Sequence, residues 1–232
     1  MEAAQRAAMS EFPFSMVGFD LDGTLVDTKG DLGVAINHTL ALIDRPPVPA
    51  DAVISLIGGG SRRMLMRALE RSGGMVADAQ FEELYPQLIA HYRANIAVHS
   101  RPFPGCLDAL DRLEGHGCVL SVVTNKPEEL ARKLLEELGI LGRFACVIGG
   151  DTLPRKKPDP DMILEAIARS GREGSFAMVG DSSFDIGAAK AAGVASVALS
   201  FGYMDKPVPE LGADTIIDHY DELLPALARI GG

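Results

Sequence analysis

Met16-Val17-Gly18-Phe19-Asp20-Leu21-Asp22-Gly23-Thr24 is the stretch on which the reading of the chain turns. Val17, Phe19 and Leu21 alternate with smaller or polar positions, the period of a strand, and Gly23 gives the backbone freedom to turn once it leaves the sheet. Two carboxylates, Asp20 and Asp22, therefore stand at a strand's carboxyl end, the edge at which open α/β sheets place their ligands. Taken alone, an Asp-Gly pair after a strand is equally an ordinary turn.

Working outward, Leu32, Ile36, Leu40 and Ile43 recur at spacings of three and four and predict an amphipathic helix stopped by Asp44-Arg45-Pro46-Pro47. Gly58-Gly59-Gly60-Ser61 opens a second helix over Met64, Leu65, Ala68 and Leu69, with Ser61 as its expected N-cap and Gly73-Gly74 as its stop. Phe81, Leu84, Leu88, Tyr92 and Ile96 continue the helical period, and Pro86 is expected to kink or divide that third helix. Residues 28–98 thus read as almost wholly helical.

From Pro104 the pattern changes to short Val-, Ile- and Ala-rich runs alternating with helices. Strands are expected at 119–123, 145–148, 176–179, 195–199 and 215–217, with helices near 106–114, 127–138, 160–170, 184–192 and 221–230. Strict alternation argues for a parallel sheet covered on both faces. The predicted fold is α/β: a doubly wound core formed by 16–27 and 99–232, interrupted just after its first strand by a helical insertion at 28–98. Residues 1–15 are expected to form a flexible tail.

In a parallel sheet, the ends of several strands face one edge. Asp20 and Asp22, Thr124-Asn125, Lys157 in the turn 155–160, and Asp181 and Asp185 in Gly180-Asp181-Ser182-Ser183-Phe184-Asp185 would then share a crevice. Each has a plain alternative: Asp181-Ser182 as a helix cap, Thr124-Asn125 as a helix entry, Lys157 as a solvated lysine. Converging carboxylates repel one another, so the group calls for a hard cation such as Mg²⁺, which takes oxygen ligands and neutralises phosphate as well. A lysine and a threonine beside it suit the remaining phosphate oxygens.

Composition narrows the partners. The 232-residue chain is 47% hydrophobic and 23% charged, the balance of a globular protein able to bury a core. A formal charge of −10 opposes long-range attraction to nucleic acid or anionic membranes. Cys106, Cys118 and Cys146 are odd in number and lack CxxC spacing, which suits core packing in a reducing compartment. No stretch is long and apolar enough for a signal or a span at 1–15, so the expected location is the cytoplasm. Monomer and homodimer both remain open.

Asp20-Leu21-Asp22-Gly23-Thr24-Leu25-Val26, Thr124, Lys157-Pro158 and Gly180-Asp181 with Asp185 resemble, in order and spacing, the four motifs of the haloacid-dehalogenase superfamily of phosphatases. Within it the chain is most similar to the bacterial phosphoglycolate phosphatases, through Leu56-Ile57-Gly58-Gly59-Gly60, Arg101-Pro102-Phe103-Pro104-Gly105, Gly149-Gly150-Asp151-Thr152-Leu153-Pro154 and Phe201-Gly202-Tyr203. One departure is Phe184, which stands where relatives often carry a polar residue such as Asn.

The resemblance implies an all-helical cap at 28–98 and a Mg²⁺-dependent phosphomonoester hydrolase. It implies Asp20 as nucleophile, passing through an aspartyl-phosphate, and Asp22 as general acid/base. Asp20, the main-chain carbonyl of Asp22 and Asp181 would hold the metal, with Asp185 as a direct or water-mediated partner. Thr124, Asn125 and Lys157 would bind the transferring phosphoryl group. Substrate choice would fall to the cap, where amides at Gly58, Gly59, Gly60 and Ser61, flanked by Arg62 and Arg63, could receive a small anion. The implied substrate is a small phosphorylated metabolite, 2-phosphoglycolate first. Alternatives are a sugar phosphate or nucleotide, a phosphoglucomutase-type transfer, and a non-catalytic binding protein.

Overall fold

The computed structural model describes residues 12–231. Its core is a six-stranded sheet in the order β5-β4-β1-β6-β7-β8, with every neighbouring pair parallel. The strands are β1 (Met16–Phe19), β4 (Val119–Val123), β5 (Phe144–Ile148), β6 (Phe176–Gly180), β7 (Ala195–Leu199) and β8 (Thr215–Ile217). β1 lies at the centre, with Met16 opposite Val119 on one side and Phe176 on the other.

Period-two alternation divides the strand side chains between the two faces. Val17, Phe19, Leu120 and Val122 join one apolar cluster with Leu110, Leu113, Leu130, Leu134 and Leu227. Met16, Val123 and Ile148 join another with Met162, Ile163, Ala188 and Ala189. Both faces are thus roofed by helices, and full burial of each large aliphatic side chain contributes about 1.5–3 kcal/mol. The three cysteines are buried and unpaired. No helix among the described residues is long and apolar enough to cross a membrane.

The insertion contains α1 (Lys29–Ala41), a 3-10 turn at Ala50–Leu56, α2 (Ser61–Arg71) and α3 (Asp78–Ala94). It is tied to the core at its neck. The two-residue strands β2 (Val26–Asp27) and β3 (Arg101–Pro102) pair antiparallel. Buried Asp31 accepts hydrogen bonds from the backbone of His99 and Ser100 and from the Ser100 hydroxyl. One carboxylate thereby staples the outgoing chain to the returning one.

Three expectations are corrected. α3 runs through Pro86 without dividing, because Phe81, Leu84, Leu88 and Tyr92 anchor it on both sides while Pro86 sits on the exposed face. Ser61 is the first helical residue and not the N-cap; Gly60, at φ 97°, makes the turn, and the Ser61 hydroxyl pairs with that of Tyr85 at 2.8 Å. Residues 1–11 of the expected tail lie outside the described residues, but Phe14 is buried and the Ser15 amide donates to Ser175 O. Two phenylalanines make that end of the segment part of the core: Phe12 stacks on His116 at 4.8 Å.

Candidate active site

The edge at the carboxyl ends of β1, β4 and β6 carries the polar residues. Asp20 follows β1, its amide still bonded to Val179 O, and Gly23 turns the chain at φ 86°. A side chain there would strike the Asp181 carboxylate, since an added Cβ would lie 2.5 Å from its oxygen. Thr124, Asn125 and Lys126 follow β4; Lys157 comes from the loop after β5; Asp181 and Asp185 follow β6. All of them line one cavity, together with Asp20 and Asp22.

Carboxylate oxygens of Asp20, Asp181 and Asp185 lie within 4.8 Å of one another. Lys157, at 2% exposure, is no solvated lysine: its ammonium donates to Asp20 Oδ1 at 2.9 Å, Asp185 Oδ1 at 2.6 Å and Val123 O at 2.5 Å. The other oxygen of Asp185 accepts from the Asp181 and Ser182 amides at the start of the helix Ser183–Ala192. Asp181 accepts from Thr24 Oγ1 at 2.6 Å and from the Tyr203 amide at 2.5 Å.

Three carboxylates against one ammonium leave two negative charges, the complement of a divalent cation. Burial pushes Asp20 up to about 6 against the pull of Lys157, with Asp185 adding to the rise. Burial, then Asp185 and Asp20, hold Asp181 well above the usual carboxylate range. Burial opposes the charge on Lys157, but Asp185 and Asp20 outweigh it and hold the lysine above its ordinary value. All-oxygen donors carrying surplus negative charge match a hard cation.

Asp22 is held separately. Lys126 Nζ donates to both of its oxygens, at 2.8 and 3.0 Å, and Thr28 Oγ1 to one of them at 2.8 Å. Lys126 is buried, and its Nζ lies 4.5 Å from the ring centre of Tyr92, on cap helix α3. Burial works against the charge on Lys126; Asp22 and Tyr92 outweigh it and raise the lysine. Sequence reasoning missed this residue, although a cation two positions beyond Thr124, at the same strand end, was the available signal. It also left Tyr203 without a role: its hydroxyl accepts from the amides of Thr28 and Lys29, where the chain enters the cap, and donates to Asp27.

The cap supplies the opposite wall with Gly58, Gly59, Gly60, Ser61, Met64, Leu88, Ile89 and Tyr92. The three glycines have φ of 100°, 77° and 97°, a run that side chains would strain. Cations hold the loop's carbonyls: Arg67 reaches Ile57 O at 3.1 Å and Lys156 Nζ reaches Gly59 O at 2.9 Å. Phe184 lines the cavity and approaches the loop from the core, so that a Cβ on Gly59 would lie 3.5 Å from its ring. It bridges core and cap.

Arg62 is the residue that the site does not gather. It is exposed, pairs with Glu82, and lies over the rings of Phe81 at 5.0 Å and Tyr85 at 4.8 Å. Ser61 and Met64 face the cavity, and a position one residue on from Ser61 points about 100° away around the helix. Arg63 likewise lies outside the lining, its guanidinium 5.8 Å from the Phe184 ring centre.

Residues 17–199 match the family model described as haloacid dehalogenase-like hydrolase, and the chain belongs to that family. It is a hydrolase with the parallel core and helical insertion described above. Among its relatives, a protein of Agrobacterium fabrum named phosphoglycolate phosphatase is 44% identical over 94% of this chain and 95% of its own. One of the same name from Mesorhizobium japonicum is 40% identical over 92% and 95%. A crystal structure described as a predicted phosphoglycolate phosphatase from Haemophilus somnus superposes with a TM-score of 0.86 at 32% identity, covering 92% of this chain and 97% of that one.

Proposed function

We propose that the chain is a Mg²⁺-dependent phosphatase that hydrolyses 2-phosphoglycolate to glycolate and phosphate. The observation that carries the chemistry is the separation of two aspartates two residues apart. Asp20 joins the acid cluster and Lys157, whereas Asp22 is turned out of it onto Lys126 and Thr28. One is set up beside the charge-balancing group, and the other stands apart from it, against a lysine ammonium and a threonine hydroxyl, to carry the proton.

Asp20 attacks phosphorus, forming an aspartyl-phosphate and releasing the alkoxide. Asp22 protonates that alkoxide and then takes a proton from the water that cleaves the acyl phosphate. Lys157 and Thr124 hold phosphoryl oxygens, and Asn125 is fixed beside them by its Nδ2 bond to Lys157 O at 3.0 Å. Asp20, Asp181 and the Asp22 carbonyl would hold Mg²⁺, with Asp185 as a direct or water-mediated partner. When bound, the ion supplies the positive charge that lets a carboxylate approach a phosphate dianion.

The substrate reading draws on the names of the relatives and on a cavity walled jointly by the core's charged residues and the cap's apolar ones. Phosphate release should be measured over phosphorylated two- to six-carbon metabolites, each with Mg²⁺ and with EDTA. The expected result is Mg²⁺-dependent turnover with 2-phosphoglycolate ranking first. A sugar phosphate ranking first would overturn the substrate, and turnover indifferent to EDTA would overturn the mechanism.

A further inference from the structure

We infer that Tyr92 and Lys126 form the subsite for the leaving group, with the Tyr92 hydroxyl donating to the carboxylate that is its second carbon. This rests on the phosphatase reading and says which residues choose the acid over its uncharged analogues.

The geometry follows from the reaction axis. Phosphorus must sit against Asp20, and the bridging oxygen must reach Asp22, which protonates it. Whatever that oxygen carries lies beside Asp22. Beside Asp22 in the cavity stand Lys126 Nζ, 2.8 and 3.0 Å from its two oxygens, and then Tyr92, with its ring centre 4.5 Å from that nitrogen.

Tyr92 is 3% exposed, lines the cavity, and its hydroxyl donates to no group among the described residues. A buried hydroxyl that donates to no group costs roughly 1–3 kcal/mol, and a group of this kind beside a reaction centre is an open valence for a ligand. Leu88, one turn earlier on α3, and Leu130 wall the same space with hydrocarbon. A long polyol would bury hydroxyls there unsatisfied, whereas a two-carbon acid presents one charged group, which the hydroxyl and the ammonium meet together. The cap delivers Tyr92 and the core delivers Lys126, so the subsite is complete only when both are in place.

Tyr92→Phe removes only the oxygen. The test compares kcat/KM for 2-phosphoglycolate and for ethyl phosphate, which carries a methyl group in place of the carboxylate, in wild type and variant. The wild type should prefer the acid. In the variant the preference should fall roughly ten- to hundred-fold, chiefly through a raised KM for the acid, the range expected for a hydrogen bond to a charged group. An unchanged preference in Tyr92→Phe overturns the inference while leaving the substrate reading standing. Equal losses on both substrates do so too, since they mark a structural role. A wild type that does not prefer the acid overturns both. The melting temperature, expected to hold or rise because the lost hydroxyl donated to no group, separates misfolding from lost recognition.

Discussion

The two walls of the cavity are built on opposite principles. On the core wall, the side chains around Asp20 are tightly held: the Lys157 ammonium makes three bonds, and both oxygens of Asp185 are taken. On the cap wall, among the described residues, the Tyr92 hydroxyl donates to no group, and the loop at Gly58–Gly60 has its carbonyls held while no hydrogen bond engages its amides. A tightly held wall is preorganised and indifferent to what is attached to the phosphate. An open wall is where discrimination resides, because unsatisfied donors reward only the ligand that meets them.

The largest effect that sharpens this contrast is loss of the nucleophile. Asp20→Asn should lower kcat by on the order of 10⁴-fold or more for every phosphate ester, with an unchanged melting profile. A loss confined to one substrate would move Asp20 from the core's general chemistry to selection. Lys157→Met comes next, because it strands three buried carboxylates: kcat should fall on the order of 10²–10³-fold, again across all substrates, and stability should fall by about 3–5 kcal/mol. Calorimetry in EDTA checks the second figure.

Metal removal reaches the same wall through stability. In the metal-free protein Asp20 titrates near 6, above its ordinary value, so the folded state binds its proton more tightly than the unfolded chain does. Stability from this group is then fully present below the unfolded pKa and is lost as pH rises through about 6. The melting temperature in EDTA should fall between pH 4 and pH 7, and Mg²⁺ should restore more at pH 7 than at pH 5. Scanning calorimetry at the two pH values, with and without Mg²⁺, reads the difference. An equal gain at both would detach the cation from Asp20.

The core wall was also the more legible in sequence. Strands such as 119–123 and 195–199 declare themselves because both faces of a parallel sheet are buried, and a strand end names the residues beside the ligand. Tyr92, Lys126 and the true direction of Arg62 hid for three physical reasons. Tyr92 falls in the apolar period with Phe81, Leu84 and Leu88, so its hydroxyl carries no separate signal. Lys126 carried no reading of its own, since burial of a lysine depends on a carboxylate 104 residues away. Adjacent helix positions differ in direction by about 100°, so proximity in sequence to Gly60 did not put Arg62 in the cavity.

That last point yields the smallest expected effect and the cleanest control on the comparison. Arg62 belongs to the cap, stands two residues from the glycine loop, and is the cation that composition alone would choose to meet an anion. Its guanidinium instead pairs with exposed Glu82 and covers Phe81 and Tyr85. Arg62→Ala should therefore change KM for 2-phosphoglycolate by less than about twofold, the range for surface substitutions away from a site. Any loss of stability should be slight and should shrink further in high salt, which screens exposed pairs. A tenfold rise in KM would mean that Arg62 leaves Glu82 and enters the cavity with substrate bound, and the open wall would then be closed by charge and not by the Tyr92 hydroxyl. Measured beside Tyr92→Phe, this variant separates a cap that selects through a few buried donors from one that selects through its surface field.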